Sequence, residues 1–481
     1  MKSFTQKAIY TALAGTSLML AASAGAVSIN QDGMGEALVY PYYTVRNNNV
    51  TLFSVVNTTT VSKAVKVRIM EGKNTAEVLD FNLFMSPKDV WTGAIIATVD
   101  GAAILSADNS CTNPKVGTTP VPFRNLAYVT DNAALRTLDR TREGYIEVIQ
   151  MADIQPSSDT DDDVKHDSKG IPTCKLVNNS SVIAQTDDYR VPTGGLFGNG
   201  TIAGSSMSTG YNATAIEGTG YTGGVTVSGS VLPNLGSGTN TTAVVVDAPA
   251  PGTTRITAAR FLSSRAIDAV SATMMHSSLL GEYAFDGVAN TDWVITMPTK
   301  RRYVNGVTTA IAPFQRVWNG TASNGTGTAC VDITIDSYDR EEGTGRVDDD
   351  FSPTGEAGVP VLCYESTVVS FGKAAGAGAG SKVLGSTNVA FFDAFQTAGK
   401  AGGWGELIFG NVSSGYNPEL GALASSQTTL VTPTGIGAPV TAAVTFVGLP
   451  AIGFSIVAAK FPAASDNFNS SYSLNARRTI K

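Results

Sequence analysis

Strict alternation of apolar and polar residues within residues 50–93 constrains the fold more than any other feature of the chain. In Lys63–Glu71 the polar residues Lys66 and Arg68 alternate with valine and isoleucine, and Val78–Ser86 repeats the pattern. A period of two indicates strands with one wet face and one buried face. Thr51–Val56, which is apolar on both faces, precedes them. The three segments predict an antiparallel meander, whose apolar face needs a covering layer.

The fold class that follows is mainly β: an antiparallel, immunoglobulin-like β-sandwich with long loop insertions and one or two short helices. Gly144–Met151 is apolar on both faces, which predicts a central strand. Arg255–Asp286 is the best helix candidate because its apolar residues recur near a 3.6-residue spacing, and its serines favour a break into two helices. Further short strands are predicted at Ser366–Phe371, Thr387–Phe392 and Glu406–Phe409.

Val440–Ala459 carries no charge and is long enough to span a bilayer, which raises a tail anchor as a hypothesis. Gly448, Leu449 and Pro450 interrupt this run, and β-branched residues are frequent in it. Two core strands joined at Leu449 and Pro450 are therefore favoured. No transmembrane segment is predicted in the mature chain.

The first 26 residues have the three parts of a secretory signal peptide. Lys2 and Lys7 precede an apolar run, and small residues follow it up to a predicted cleavage after Ala24 or Ala26. The mature chain is therefore expected to be exported, to the periplasm, to the outer cell surface or into the medium.

The mature chain is expected to divide into three parts. Residues 27–155 hold the core strands of the sandwich, and residues 156–254 form an acidic loop and a Gly/Ser/Thr-rich insertion. Residues 255–481 supply a helix and strands that complete the core or form a second β domain. Between residues 190 and 247 the only charge is Glu217, which is typical of a flexible linker or of short, tightly turned strands. Interspersed apolar residues favour an insertion with local β-structure.

The charge balance argues against nucleic acid as a partner. Only 15% of the residues are charged, and the formal net charge is −7. Neutralising phosphates needs a basic surface. The one basic cluster is Lys300, Arg301 and Arg302. A solvated strand end is its ordinary interpretation, and binding of an anionic lipid or polysaccharide headgroup is the alternative.

The four cysteines indicate disulfides, since the chain is expected to be exported and no C-x-x-C spacing occurs. Four cysteines allow three pairings, and sequence alone does not choose among them. Pairing in sequence order, Cys111 with Cys174 and Cys330 with Cys363, is favoured because each pair brackets an irregular segment. Such a crosslink would stabilise by about 2–4 kcal/mol.

Two acidic segments are candidates for a calcium site. The first contains Asp159, Asp161 and Asp163, and the second contains Asp348 and Asp350. Calcium prefers carboxylate oxygens, but neither segment has the glycine and terminal glutamate of an EF-hand loop. Solvated acidic loops are the ordinary interpretation of both, and no other cofactor is indicated.

The sequence does not predict an enzyme. The two histidines, His166 and His276, have no second histidine or cysteine nearby that would complete a metal or nucleophile set. Neither G-x-S-x-G nor H-E-x-x-H occurs. No catalytic residue is therefore assigned.

Six phrases of the sequence stand out: VVNTTT (55–60), KAVKVRIME (63–71), EVLDFNLFMSPKDVWTG (77–93), REGYIEVIQMAD (142–153), TDWVITMPTKRRYV (291–304) and GLPAIGF (448–454). They resemble a group of exported or cell-surface proteins of Gram-negative bacteria. The resemblance implies an immunoglobulin-like sandwich in the N-terminal region, and it brings no catalytic residues to this chain.

Two functions are compatible with these observations. The leading hypothesis is an exported, non-enzymatic structural or interaction protein of the cell envelope, which binds a protein partner or copies of itself. The alternative is a binding module for carbohydrate or another small ligand. It would use aromatic side chains as stacking faces, for which core packing is the ordinary interpretation. The candidates are Tyr40, Tyr42, Tyr43 and Trp91, or Trp318 and Trp404.

Overall fold

Antiparallel β-sheets joined by long loops make up the fold, which confirms the predicted mainly β, sandwich class. The computed structural model describes residues 25–179, 183, 187–204, 207–321, 329–340, 344–346, 351–352, 359–392, 401–431, 435–436, 440–460 and 467–481. Most of the predicted signal peptide, residues 1–24, lies outside this set.

The first sheet is built around Glu143–Ile154, a strand that is buried along its whole length. It pairs with Ala37–Thr44 on one side and with Lys63–Glu71 on the other, which confirms the predicted central strand. Lys63–Glu71 in turn pairs with Glu77–Met85 along its length, as the alternation predicts. From edge to edge the sheet contains Ser28–Ile29, Thr214–Glu217, Ala37–Thr44, Glu143–Ile154, Lys63–Glu71, Glu77–Met85 and Cys111–Asn113, with Tyr189–Arg190 beside Glu143–Ile154.

The predicted three-strand meander is wrong, because Val50–Asn57 belongs to the second sheet and not to the first. The side-chain amide of Asn57 donates to the carbonyl oxygens of Val61 and Ser86, both at 2.8 Å, and fixes the turn that carries the chain from one sheet to the other. Alternation predicts a strand but not its neighbour. The second sheet contains Met207–Asn212, Asn199–Gly204, Val50–Asn57, Val90–Ala97, Ala102–Leu105 and Val121–Pro122, with Leu196–Phe197 beside Val50–Asn57.

Aromatic residues fill the space between these two sheets. The ring of Trp91 lies 5.3 Å from that of Phe53 and 5.5 Å from that of Phe81, centroid to centroid, so it contacts side chains of both layers. Trp91 is fully buried. Its burial removes a large apolar area from water and holds the sandwich together.

The predicted wet face of Lys63–Glu71 is wrong, because every residue of this strand is buried. Lys66 Nζ lies 2.9 Å from Asp80 Oδ2 and also donates to the carbonyl oxygen of Val227 at 3.1 Å. The backbone N–H of Gly229 donates to Asp80 Oδ2 at 3.0 Å. Part of the Gly/Ser/Thr-rich segment therefore covers the charged face of the first sheet and supplies hydrogen bonds there, which lowers the cost of burying the charges.

The C-terminal half forms two larger sheets, the third and the fourth. The central strands of the fourth sheet have core residues on both faces. Trp293 and Phe371 face the third sheet, whereas Val294 and Phe454 pack with the core of the N-terminal sandwich. The third sheet contains Thr344–Arg346, Val331–Asp339, Gly402–Phe409, Ser278–Ala284 and Asn475–Arg477, with Val361–Leu362 at Val331–Asp339. The fourth contains Phe351–Ser352, Val389–Phe392, Ser366–Phe371, Ala289–Thr296, Ile452–Lys460 and Asn467–Ser473. The strands predicted at Ser366–Phe371, Thr387–Phe392 and Glu406–Phe409 are confirmed. Val389–Phe392 pairs with Ser366–Phe371 in parallel.

The helix candidate Arg255–Asp286 is wrong for most of its length, and it does not form two helices. The helix spans only Ala266–Met274, and Thr253–Arg260 is a strand between Thr242–Asp247 and Ala424–Val431. Pairing on both sides satisfies the backbone of Thr253–Arg260, and this tertiary pairing overrides a weak helical periodicity.

The fifth sheet contains Thr242–Asp247, Thr253–Arg260, Ala424–Val431, Gly435–Ile436 and Val440–Thr441. The remaining elements are the strands Met275–His276, Leu449–Pro450, Glu419–Gly421, Thr445–Val447 and Thr479–Ile480, the helices Asp159–Val164 and Arg301–Val304, and the 3₁₀ turns Arg46–Asn48, Leu126–Tyr128 and Leu138–Arg142.

Val440–Ala459 forms short strands, with a break at Gly448. Gly448 has a φ of 104°, and a Cβ there would lie 1.7 Å from the carbonyl oxygen of His276. Only glycine fits this close approach. In the part of the chain that the structure describes, no helix has the length and apolarity to cross a bilayer.

The predicted disulfide pairing is confirmed. Cys111 bonds to Cys174, and Cys330 bonds to Cys363. The first disulfide ties the edge of the first sheet to the loop after Asp159–Val164. The second ties Cys330, next to Val331–Asp339, to Cys363, next to Val361–Leu362.

Candidate functional site

The first acidic segment forms the short helix Asp159–Val164, and its buried carboxylates are used inside the protein. Asp161 accepts hydrogen bonds from Ser62 Oγ at 2.6 Å and from the backbone N–H of Ser157 at 2.7 Å. Asp163 accepts from Thr173 Oγ1 at 2.6 Å and from the backbone N–H groups of Lys175 and Leu176 at 2.8 and 2.9 Å. These contacts order the loop that carries Cys174.

Asp348 and Asp350, the candidates of the second acidic segment, lie outside the described residues. Asp159 lies at the start of its helix. Among the described residues, no group of three or more His, Cys, Asp or Glu side chains could hold a metal ion, so Asp159 belongs to no such group. Calcium binding stays a prediction.

The aromatic residues proposed as stacking faces are mostly core residues. Tyr40, Tyr42, Tyr43 and Trp91 are fully buried, and Trp318 is buried as well. The three tyrosine hydroxyls are used internally; for example, Tyr42 donates to Glu143 Oε2 at 2.8 Å. Of this predicted set Trp404 reaches the surface, with 40% of its area exposed. One face of Trp404 stacks on the ring of Tyr338 at a centroid distance of 4.4 Å, so that face is not open to a ligand.

The basic cluster is not the predicted solvated strand end, because Lys300 is buried. Its Nζ donates to the carbonyl oxygen of Cys363 at 3.0 Å, and burial lowers the pKa of Lys300 to about 8. Arg301 Nη1 donates to the carbonyl oxygen of Asn74 at 2.6 Å. The chain turns into the short helix Arg301–Val304 here, and this turn packs Lys300 inward. Arg302 remains exposed.

A cleft of about 550 Å³ opens where the N-terminal sandwich meets the fourth sheet. We call it the junction cleft. It lies between the edge strands Met207–Asn212 and Asn467–Ser473, which approach each other closely enough for the Ser471 hydroxyl to donate to the Gly210 carbonyl oxygen. Its lining consists of Pro41, Asn199, Gly200, Thr201, Gly210, Tyr211, Asn212, Ala213, Thr214, Gly453, Phe454, Ser471, Tyr472 and Ser473.

Two stacked rings form the base of the junction cleft. Tyr211 and Phe454 lie 4.8 Å apart, centroid to centroid, with their planes 14° from parallel. The Tyr211 hydroxyl donates to the carbonyl oxygen of Tyr42, and burial raises the pKa of Tyr211, so the phenol stays protonated at neutral pH. A Cβ at Gly200 would lie 2.2 Å from the Tyr211 ring. The glycine therefore makes room for the ring.

The sides of the junction cleft carry polar side chains without a charge. The side chains of Asn199, Thr201, Asn212 and Thr214 make no hydrogen bond within the described part of the protein. Tyr472, at the rim, is 55% exposed. Amide and hydroxyl groups both donate and accept hydrogen bonds. The cleft therefore offers several free donors and acceptors over an aromatic base.

A second, larger cleft of about 660 Å³ is less suited to bind a ligand, because its carboxylates are already bonded. Glu217 accepts from Ser28 Oγ at 3.1 Å and from Asn30 Nδ2 at 3.0 Å. Glu36 Oε2 accepts from the Thr219 backbone N–H at 3.0 Å and from its hydroxyl at 2.7 Å. Binding there would require breaking bonds that the fold already makes.

Sequence reasoning missed the junction cleft. Tyr211 belongs to the Gly/Ser/Thr-rich segment, and Tyr472 belongs to a polar stretch near the C-terminus, NFNSSYS (467–473). The one available signal was the spacing of Phe468 and Tyr472, four residues apart, which in a strand places both on the same face. The contact between the two segments joins residues 261 positions apart, a separation that no local pattern reveals.

Comparison with known proteins supplies no family for this chain: no family model matches it, and no curated protein matches it. The resemblance to exported proteins of Gram-negative bacteria therefore stays a prediction. Function has to be inferred from the chemistry of the site.

Proposed function

We propose that this chain is an exported, non-enzymatic binding protein of the cell envelope, and that its ligand is a neutral oligosaccharide held in the junction cleft. The observation that carries the proposal is the set of uncharged polar side chains that lack an internal hydrogen bond, namely Asn199, Thr201, Asn212 and Thr214. They surround a base of stacked aromatic rings. A sugar presents hydroxyl groups at its edge and C–H groups on its face, and the two parts of the cleft match these.

Export is supported by the predicted signal peptide and by the two disulfides. Disulfides persist in oxidising compartments, which include the periplasm and the cell exterior. The periplasm, the outer surface and the medium are the compartments in which this chain would meet an envelope glycan.

The lining favours a neutral ligand over a charged one, because no lining residue carries a charge. A charged group placed here would lose water without gaining a counter-ion. A hydroxyl-rich ligand instead replaces water at donors and acceptors that are free in the unliganded protein, so no internal hydrogen bond is lost. The volume of about 550 Å³ lies within the usual range for small-molecule sites.

A matched pair of glycine substitutions tests the proposal. A Cβ at Gly210 has its nearest neighbour, the Gly200 carbonyl oxygen, at 3.6 Å, so Gly210→Phe is expected to fold and to fill part of the cleft. Gly421 also stands in a strand with no atom within 4 Å of an added Cβ, so Gly421→Phe is the control. The mature protein is first applied to an array of neutral and acidic glycans, and its best ligand is then titrated calorimetrically.

We expect neutral oligosaccharides to bind, and Gly210→Phe to weaken that binding at least tenfold while Gly421→Phe leaves it unchanged. Preference for acidic glycans, or equal affinity of the Gly210→Phe variant, would contradict the proposal. The melting temperatures of both variants show whether a loss of binding is a loss of folding.

A second candidate function, association with a protein partner or with copies of the chain, is favoured by the exposed face of Asn467–Ser473. Phe468 and Tyr472 are 56% and 55% exposed on one face of this strand. Exposed aromatic residues are typical of protein interfaces. Light scattering of the mature protein separates the two functions: a concentration-dependent dimer that Phe468→Ser abolishes supports association, and a strict monomer that binds oligosaccharide supports the first function.

A further inference from the structure

A cavity of about 260 Å³ lies on the charged face of the first sheet, and we call it the arginine cavity. Three guanidinium groups line it, those of Arg68, Arg301 and Arg302, together with the carboxylates of Glu77 and Glu147. It is separate from the junction cleft, with which it shares no lining residue.

Arg68 is buried and partly used. Its Nε lies 2.7 Å from Glu77 Oε2, and its Nη1 lies 2.7 Å from Glu147 Oε2, while only 4% of its side chain is exposed. A guanidinium carries five N–H donors. Within the described residues Nη2 makes no hydrogen bond, although the side chain lines the cavity. The cavity therefore contains donors that the protein does not use.

Arg302 has no counter-ion in the part of the chain that the structure describes, and no hydrogen bond to its guanidinium occurs there. Arg302 is exposed, so its guanidinium can be reached from solvent. With Arg68 and Arg301 the cavity holds three positive groups against the two carboxylates of Glu77 and Glu147. The excess of one positive charge suits a single negative charge on a ligand.

The loop beside the arginines is held rigidly. Thr75 has a φ of 51°, which is an uncommon conformation for a β-branched residue. The Tyr145 hydroxyl lies 3.1 Å from Thr75 Oγ1 and 3.2 Å from Glu147 Oε1, so one phenol connects the loop to the carboxylate wall. A rigid wall of this kind reduces the entropy lost when a ligand binds.

Another part of the lining is apolar. Met70, Leu235 and Ile267 line it, and each is buried. A fully solvated anion such as phosphate would meet an apolar surface on this side. A ligand with one anionic group and a short apolar body matches both walls.

We propose that the arginine cavity binds a small monocarboxylate with an apolar body of a few carbons. Its carboxylate accepts hydrogen bonds from Arg302 and from the free N–H groups of Arg68, and its apolar body packs on Leu235 and Ile267. Arg301 contributes charge, since its Nη1 already donates to the carbonyl oxygen of Asn74. This site does not depend on the oligosaccharide proposal.

Three probes of different chemistry test the site by calorimetry on the mature protein: 3-methylbutanoate, its neutral amide and inorganic phosphate. We expect 3-methylbutanoate to bind with one-to-one stoichiometry, and both the amide and phosphate to bind at least tenfold more weakly. Amide binding as tight as that of the acid would overturn the role of the arginines. Phosphate binding as tight as that of the acid would overturn the role of the apolar wall.

Arg302→Gln is expected to weaken 3-methylbutanoate binding at least tenfold. Arg136→Gln is the control, because Arg136 is exposed and its side chain makes no contact with the cavity. Both variants keep the buried ion pairs of Arg68, and thermal melts verify that they fold. Unchanged affinity in Arg302→Gln, or an equal loss in Arg136→Gln, would refute the assignment.

Discussion

The junction cleft and the arginine cavity differ in the polar groups that line them. The cleft is lined by neutral amides and hydroxyls, several of which have no internal partner. The cavity is lined by charges, and most of them are paired, as Arg68 is with Glu77 and Glu147. An unpaired neutral group at an open cleft is satisfied by water, whereas a buried charge such as that of Arg68 is costly unless it is paired.

The difference also separates stability from binding. The side chains of Asn199, Thr201, Asn212 and Thr214 contribute little to the fold, because they make no hydrogen bond within the described part of the protein. The charges around the cavity are part of a buried network, in which losing one partner leaves the other uncompensated. Substitutions of the paired charges near the cavity should therefore destabilise the protein, and substitutions of the four polar side chains of the cleft should affect mainly its ligand.

The largest expected effect is that of Glu71→Ala, which removes the carboxylate behind the cavity. Glu71 lies 2.6 Å from Arg140 Nε and accepts hydrogen bonds from the backbone N–H groups of Lys73, Asn74 and Ala76 at 2.7, 2.9 and 2.9 Å. Arg140 would keep its ion pair with Asp131 at 2.8 Å but lose its fully buried partner, and three backbone N–H groups would lose their acceptor. The free energy of unfolding should therefore fall by about 3–5 kcal/mol. Chemical denaturation of the mature protein measures this change.

The control for this prediction is Asp139→Ala. Asp139 pairs with Arg46 at 2.7 Å, but 54% of its side chain is exposed. Arg46 keeps its second partner Glu143 at 3.3 Å, and an ion pair with an exposed carboxylate contributes about 1 kcal/mol or less, so the control should remain close to wild type. Equal losses in the two variants would show that burial does not distinguish these charges. Under conditions where Glu71→Ala remains folded, it should bind oligosaccharide normally and 3-methylbutanoate poorly.

The sequence predicted the strands of the first sheet but not the burial of their charged face. The bounds of Lys63–Glu71 follow from local alternation, and so do those of Ser366–Phe371. Burial of Lys66 and Arg68 does not follow from it, because their partners include Glu147 and the segment around Val227, which are distant in sequence. Local periodicity reports a strand, and only tertiary pairing decides whether its polar face is wet.

Local sequence patterns also fail to reveal sites that are built from residues distant in the chain. Disulfide pairing was predictable because each pair brackets one continuous segment, and the structure joins Cys111 to Cys174 and Cys330 to Cys363. The junction cleft was not predictable, because its two sides come from separate sheets. The basic cluster Lys300–Arg302 is visible in the sequence. The sequence does not show that Lys300 is buried while the two arginines line a cavity, because this arrangement depends on a single helical turn.

Glu365→Gln should change stability by a smaller amount and in the opposite direction. Both carboxylate oxygens of Glu365 are buried and lack a hydrogen-bond partner among the described residues. Burial raises the pKa of Glu365 well above its usual value, against the opposing effects of Lys300 and Arg301, and the carboxylates of Glu71 and Glu147 add to the rise. The folded protein therefore retains this proton at pH values where the unfolded chain, with a glutamate pKa of about 4.3, has lost it.

The sign of the effect follows from that difference. For an acid whose pKa is raised on folding, the contribution to stability is complete below the unfolded pKa and is lost as pH rises towards the folded pKa. Glutamine mimics the protonated acid and has no such loss. Glu365→Gln should thus match wild type near pH 4 and be more stable than wild type near pH 8. A variant less stable than wild type at pH 8 would show that Glu365 is ionised and that its attraction to Lys300 is needed.

The smallest expected change in stability is that of Tyr472→Ala, at the rim of the junction cleft. More than half of this side chain is exposed, and it forms no hydrogen bond within the described residues, so the free energy of unfolding should change by less than about 0.5 kcal/mol. If its ring stacks on a sugar, oligosaccharide affinity should nevertheless fall about threefold to tenfold, which corresponds to about 0.5–1.5 kcal/mol. Binding of 3-methylbutanoate should stay unchanged, because Tyr472 does not line the arginine cavity. Calorimetric titration of both ligands, on the same preparation used for denaturation, measures all three quantities. A loss of affinity for both ligands would mean that the two sites are coupled, and the contrast between a neutral binding cleft and a charged binding cavity would then fail.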